Sequence, residues 1–255
     1  MNASILHIEG LTPYAQGHRL QRALLNARIH DQIGDTLLCV EHTPTVTIGR
    51  ARGSEQSVLS RVGDMYRVER GGDATWHGPG QLTVYPIVRL EGARADLHAY
   101  LADLEEAVIQ TLLDAGLRPT RDERNTGVWL PSADGHAPRK VCSIGIACRK
   151  WVTWHGIALN ICPDLGGFQR IQPCGMEQGV ITRLCDHLEH CPDFTTWRSR
   201  LADALAAQLR LHAPSTACYA DIVACCDGLE LTLPDAPPPS LSADGLPHTE
   251  QHTSP

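Results

Sequence analysis

The apolar positions of the first 210 or so residues alternate between two periods. Residues 4–8, 37–41, 45–48, 65–69, 82–88, 141–148 and 152–161 show alternation or short apolar runs rich in β-branched residues, which predicts strands. Pro44 separates the second of these from the third. Residues 14–33 carry a helical pattern. Leu97, Leu101, Leu104, Val108 and Leu112 recur at intervals of four, three, four and four, one apolar stripe on a helix that ends near Gly116. A last helix follows Asp193 as its N-cap, with Trp197, Leu201, Leu205 and Leu209 on one face. The expected fold is α/β in content and of the α+β type: a mixed β-sheet with packed helices, without internal repeats.

Composition narrows the function class. Lys plus Arg number 22 against 29 Asp plus Glu, a net charge of −7, which argues against a general nucleic-acid binder. With 42% hydrophobic and 20% charged residues, the chain of 255 can bury a substantial core. Residues 234–255 hold six Pro and three acids without a base or apolar period, and read as a disordered tail beyond a single domain at 1–233. The start lacks a signal-peptide pattern and no apolar stretch approaches ~18 residues, so a cytoplasmic protein away from membranes is expected. Ten Cys without regular spacings then read as reduced thiols. Lysine occurs only at Lys140 and Lys150, so only two side-chain amines can lose a proton near neutral pH; Arg does not.

Four segments carry chemistry. RGGDATWHGPGQ (70–81) has four Gly and a Pro, which lets backbone approach a ligand closely. It matches neither GxxxxGK[ST] nor a helix-opening GxGxxG, and a tight connection accounts for the glycines. Arg70, Thr75 and His77 go beyond what such a turn needs. Cys174 sits between Pro173 and Gly175 in IQPCGMEQG (171–179), a setting that presents a thiol on a loop; Cys39, Cys142 and Cys148 lie in strand patterns and read as packing. HLEHC (187–191) offers His187, His190 and Cys191 but no CxxC, and reads as an exposed polar helix end rather than a metal site. In WVTWHGIALN (151–160), alternation places His155 with Thr153 and Ile157 as a satisfied sheet histidine, while Gly156 marks close approach of a ligand or backbone.

Together with EHTPTVTIGR (41–50), the segments RGGDATWHGPGQLTVYP (70–86), KVCSIGIACRKWVTWHGIALNICPDLGGF (140–168) and IQPCG (171–175) resemble the signature segments of lipoyl(octanoyl) transferases, over roughly residues 5–210. The resemblance implies a fold shared with the lipoate and biotin protein ligase catalytic domain. It implies an enzyme that moves an octanoyl or lipoyl group from the phosphopantetheine thiol of acyl carrier protein to a lysine of lipoyl domains. The acceptors it implies are 2-oxoacid dehydrogenase complexes and the glycine-cleavage H protein. In that family the acyl-thioester forms on the cysteine matching Cys174, assisted by the lysine matching Lys140. The acyl-binding residues map onto Arg70, Gly71, Gly72, Asp73, Ala74, Thr75, Trp76 and His77, then Ser143, Ile144 and Gly145, then Gly156, Ile157 and Ala158. Asp73 stands where the family commonly has glutamine, and Ser143 where alanine is more usual.

The chemistry is self-consistent. A free thiol of pKa ~8.5 is only slightly ionised at pH 7, and a nearby ammonium raises its thiolate fraction. Thioester exchange is nearly isoenergetic, so neither ATP nor a metal is expected as cofactor. Two other readings stand beside this one: an ATP-dependent lipoate or biotin ligase, and a non-catalytic binder of acyl-carrier or lipoyl domains. Carrier proteins and lipoyl domains are characteristically acidic, so docking on a chain of −7 calls for a local basic patch, with Arg50, Arg52, Arg149, Lys150 and Arg170 as candidates.

Overall fold

Strand β2 (Thr36–His42) reads as a nearly unbroken apolar run because both faces of its sheet are covered. In the computed structural model, which describes residues 1–60, 64–122, 125–132, 137–172, 179–190 and 193–217, Leu37 and Cys39 enter one core while Leu38 and Val40 enter another. Helices α2 (Leu97–Leu113) and α3 (Phe194–Gln208) close the first core through Leu104, Leu112, Leu201 and Leu205. Helix α1 (Tyr14–Ile29) closes the second through Leu20, Leu24 and Leu25.

The main sheet adds β1 (Ser4–Thr12), β6 (Gln81–Ile87), β7 (Gly127–Leu130), β8 (Arg139–Arg149), β9 (Val152–Asn160) and β10 (Ser215–Ala217), in the order β10-β1-β2-β6-β9-β8-β7. Strand β1 runs parallel to both β10 and β2, and the other neighbours pair antiparallel. A second sheet, β4-β3-β5, is formed by β3 (Thr45–Ile48), β4 (Asp64–Arg67) and β5 (Ala74–His77). It packs Val46, Ile48 and Trp76 against Phe168 and Ile171. The expected α+β architecture with a mixed sheet is therefore the observed one.

The helix signals act as read. Asp96 caps α2 by accepting from the N–H groups of His98 and Ala99, and Asp193 caps α3 through Thr196. Helix α1 stops earlier than residue 33, because Asp31 takes a left-handed φ of 54° and turns the chain. Strand β1 runs past residue 8 through a register shift between His7 and Leu11. Three short strands, β5, β7 and β10, are not apparent from periodicity. His187 follows a 3-10 turn, Leu184–Asp186, rather than sitting on a helix, and its Nε2 bonds Thr182 Oγ1 at 2.9 Å. Cys191 and the 234–255 tail lie outside the described residues. Among the described residues no helix is long and apolar enough to cross a membrane.

Candidate active site

On the α1 side of the main sheet, Thr83 and Tyr85 alternate with the core residues Leu82 and Val84 and face a cavity of about 310 Å³. Its other walls come from β8, β9 and the Gly-rich segment. Arg70, Gly71, Gly72, Asp73, Ala74, Thr75 and His77 line it, as do Ser143, Ile144 and Gly145 and, opposite them, Gly156, Ile157 and Ala158. The β8–β9 register brings the last two groups together: Ser143 pairs with Ala158, Ile144 with Ile157 and Gly145 with Gly156. Of the fourteen residues mapped as acyl-binding only Trp76 is outside this lining. Its ring, on the opposite face of β5, packs on Phe168 with centroids 5.2 Å apart. Tyr14, Thr83, Tyr85 and Ile181, which the sequence did not mark as site residues, also line the cavity, as does Leu101 from the apolar stripe of α2.

The Gly-rich segment lies over the main sheet, with the Gly71 N–H donating to Ile146 O at 2.9 Å. Below it, Gly156 has a φ of +155°, and a Cβ there would sit 2.5 Å from Pro86 Cδ and 2.6 Å from Val84 O. Gly156→Ala is accordingly expected to lower stability by about 2–3 kcal/mol, a Tm loss of roughly 4–12 °C, measurable by thermal denaturation. An unchanged Tm would mean that the strand relaxes freely at this point.

A buried polar chain organises the pocket. Arg70 Nη2 donates to Thr47 O at 2.9 Å and to Thr47 Oγ1 at 3.0 Å. The Thr47 hydroxyl lies 3.3 Å from His77 Nε2, and His77 Nδ1 lies 2.7 Å from Gln81 Oε1. Gln81 Nε2 donates to Asn160 Oδ1 at 3.0 Å, and Asn160 Nδ2 donates to Thr182 O at 3.0 Å. Because Gln81 Oε1 only accepts, His77 carries its proton on Nδ1 and takes the Thr47 hydroxyl on Nε2. His42 follows the same rule: Nδ1–H goes to Thr12 O at 2.9 Å, leaving Nε2 for the Tyr85 hydroxyl at 2.7 Å. Burial pushes His42 down to about 4 and His77 well below its ordinary value, the latter helped by His42, so both rings are neutral at pH 7.

Lys140 also lines this cavity, 7% exposed, with Nζ 5.4 Å from the centre of the Trp129 ring. Its stem passes so close to Gly127 that a Cβ at that position would lie 2.6 Å from Cε. Its backbone is tied to the segment 180–182: Lys140 N–H donates to Val180 O at 2.7 Å, and Thr182 N–H to Lys140 O at 2.9 Å. Gln172 is anchored on the 3-10 turn Ser54–Ser57, which links β3 to β4, by a 2.7 Å bond from its N–H to Ser57 O. Cys174 falls between these anchored segments in sequence and lies outside the described residues, as do Pro173 and Gly175. Asp73 accepts from the Ser57 hydroxyl at 2.6 Å and from the Ala74 N–H at 2.7 Å, so the acid ties down the Gly-rich segment.

His155 departs from its sequence reading. Its φ of 56° is left-handed, which turns the ring away from the Thr153 and Ile157 side and onto α1. The ring stacks on Trp154 at 4.3 Å and its Nε2 has no hydrogen-bond partner, so it is not a satisfied sheet histidine. Burial lowers its pKa to about 4.

Residues 13–206 match the family described as the lipoyl protein ligase A/B catalytic domain. An octanoyltransferase of Nostoc punctiforme is 45% identical over 189 residues, covering 72% of this chain and 80% of that protein. One of Rubrobacter xylanophilus is 44% identical over 188 residues, 71% and 81% of the two chains. The chain belongs to the octanoyltransferase family. It is therefore an acyltransferase, and its fold extends to more distant relatives. The bipartite lipoate protein ligase of Thermoplasma acidophilum superposes with a TM-score of 0.63 at 18% identity, covering 89% of this chain and 91% of that one. A lipoate-protein ligase A bound with ATP gives 0.62, also at 18% identity, covering 89% and 94%. For the acyltransferase these two likenesses establish the common fold.

Proposed function

We propose that this enzyme, in the cytoplasm, takes an octanoyl or lipoyl group from the phosphopantetheine thiol of acyl carrier protein and transfers it to a lysine of a lipoyl domain. The acceptors are the lipoyl domains of 2-oxoacid dehydrogenase complexes and the glycine-cleavage H protein. Cys174 gives its thiol proton to the Lys140 amine and attacks the thioester carbonyl. The carbon–sulfur bond to pantetheine breaks, and the departing thiolate takes the proton from Lys140. In the second half the acceptor amine attacks the Cys174 thioester, Lys140 takes the amine's proton, and the departing Cys174 thiolate takes that proton back, which restores the thiol and the amine. One thioester is exchanged for another and then for an amide, so the exchange calls for neither ATP nor a metal.

The observation that carries this reading is the position of Lys140, a buried amine in the lining of a cavity walled largely by apolar atoms, its backbone held by residues that follow the PCG segment. Burying an eight-carbon chain there contributes up to ~5 kcal/mol before ordering costs, at ~0.8 kcal/mol per CH₂. The test is incubation with octanoyl carrier protein in the absence of ATP, followed by intact mass. One octanoyl adduct on the enzyme, cleared by a lipoyl domain, is expected. Modification that requires free octanoate and ATP would identify a ligase, and no modification under either condition a binder.

Docking of acidic partners has a candidate place. Strand β8 carries Ser143 to Ile146 along the cavity and ends at Arg149, ~10 Å further at ~3.3 Å per residue. Arg149, Lys150 and the half-exposed Trp151 form the turn into β9, with φ values of 50° and 60° at Lys150 and Trp151. Both central residues being left-handed is the geometry of a type I′ hairpin turn, which directs these side chains to solvent. Replacing Arg149 and Lys150 by Glu is expected to lower kcat/KM for carrier-bound substrate about tenfold at low salt and to flatten its salt dependence. An octanoyl-pantetheine thioester should be nearly unaffected. Equal losses on both substrates would remove the docking role.

A further inference from the structure

Three side chains from distant parts of the sequence converge beside the cavity: His18 of α1, Glu69 after β4 and His155 of β9. Glu69 Oε2 lies 3.0 Å from His18 Nε2 and 3.7 Å from His155 Nε2, and the three potential donor atoms are all within 4.8 Å of one another. Tetrahedral bonds of ~2.0–2.1 Å separate ligand atoms by roughly 3.4 Å, a value that these two distances bracket. His155 Nε2, on a ring 1% exposed, points into the cluster with no hydrogen-bond partner, since 3.7 Å is too long for one. Such a nitrogen lacks only an electron-pair acceptor.

We propose that His18, Glu69 and His155 form a binding site for a divalent transition-metal ion of the zinc class. Two imidazoles and one carboxylate suit zinc, cobalt or nickel, whereas magnesium and calcium require more oxygen ligands than the cluster offers. Glu69 is 47% exposed, which gives the ion a route from solvent, and the two rings are held from α1 and β9. The fourth ligand position is left for water. The ion has no step in the acyl exchange; it spans the helix, the loop leading into Arg70 and the cavity strand, and so fixes one wall.

The test uses the full chain, reduced and stripped of metal by a chelator, then titrated with Zn²⁺ against a chromogenic chelator and separately with Co²⁺ by absorption. One equivalent is expected, with a d–d spectrum of nitrogen and oxygen ligation and no thiolate charge-transfer band. His18→Phe, which keeps an aromatic ring in the stack, and Glu69→Gln should each weaken that equivalent by about 100-fold or more, at least the upper range seen when only supporting groups are lost. Glu69 is half-exposed, so its variant keeps the measurement possible if His18→Phe fails to fold. Equal binding in wild type and Glu69→Gln, a thiolate spectrum, or no binding by the wild-type chain would each overturn the proposal.

Discussion

Cys174→Ala is expected to abolish octanoyl transfer, by at least ~10³-fold in kcat, and to eliminate the acyl adduct on the enzyme. The expectation rests on the presentation of the thiol between Pro173 and Gly175 and on its match to the cysteine of the family's PCG motif. The substitution removes one sulfur atom, so the circular-dichroism spectrum and Tm should stay close to wild type. Kinetics with octanoyl carrier protein, read together with intact mass, check it. Near-normal turnover without an adduct would mean direct attack by the acceptor amine on the carrier thioester, with no covalent enzyme intermediate.

Lys140→Arg should be nearly as damaging as Lys140→Met, each losing about 10²–10⁴-fold in kcat. Arginine preserves a positive charge able to favour thiolate but does not release a proton near neutral pH, and methionine preserves only the stem. The pocket sharpens the contrast. The stem is confined between Trp129 and Gly127, so a longer planar guanidinium has little room to replace it. Measuring both variants across pH separates the contributions. A near-wild-type arginine variant would reduce the amine to a fixed charge, whereas equal losses in two variants that keep the wild-type Tm are what loss of proton transfer predicts.

Much of the architecture was legible because its main sheet is buried on both faces and its helices carry one apolar stripe each. Runs such as 37–40 and 82–88 have few other places to go. The short strands β5 and β7 were not legible: β5 sits inside the Gly-rich segment and β7 is a four-residue stretch without clear alternation, so pairing with a neighbour decides them. The site was readable where glycine marked close approach, at 71–72 and 156, and at 143–145 only through the family resemblance. Thr47 was not, since a threonine in a strand looks the same whether or not it links Arg70 to His77. His155 was read onto the wrong side because alternation assumes an extended backbone, and one left-handed residue reverses the face. Its meeting with His18 and Glu69 joins positions 51 and 86 residues apart, a relation that only the folded topology creates.

The parallel pairing of β1 with β10 sets a timetable for synthesis. Ala3 donates to His212 O at 2.8 Å and accepts from Ser215 at 3.2 Å, so the earliest strand made receives its outer neighbour from the last one described. At ~5–20 residues per second, more than 200 residues of elongation leave that edge open for on the order of ten seconds or longer. Throughout this interval Ser4 to Leu6 present an unpaired ladder bearing Ile5 and Leu6, a template for a neighbouring nascent chain on the same messenger. Ribosome spacing and chaperone supply therefore bear on the yield of this enzyme through its first strand.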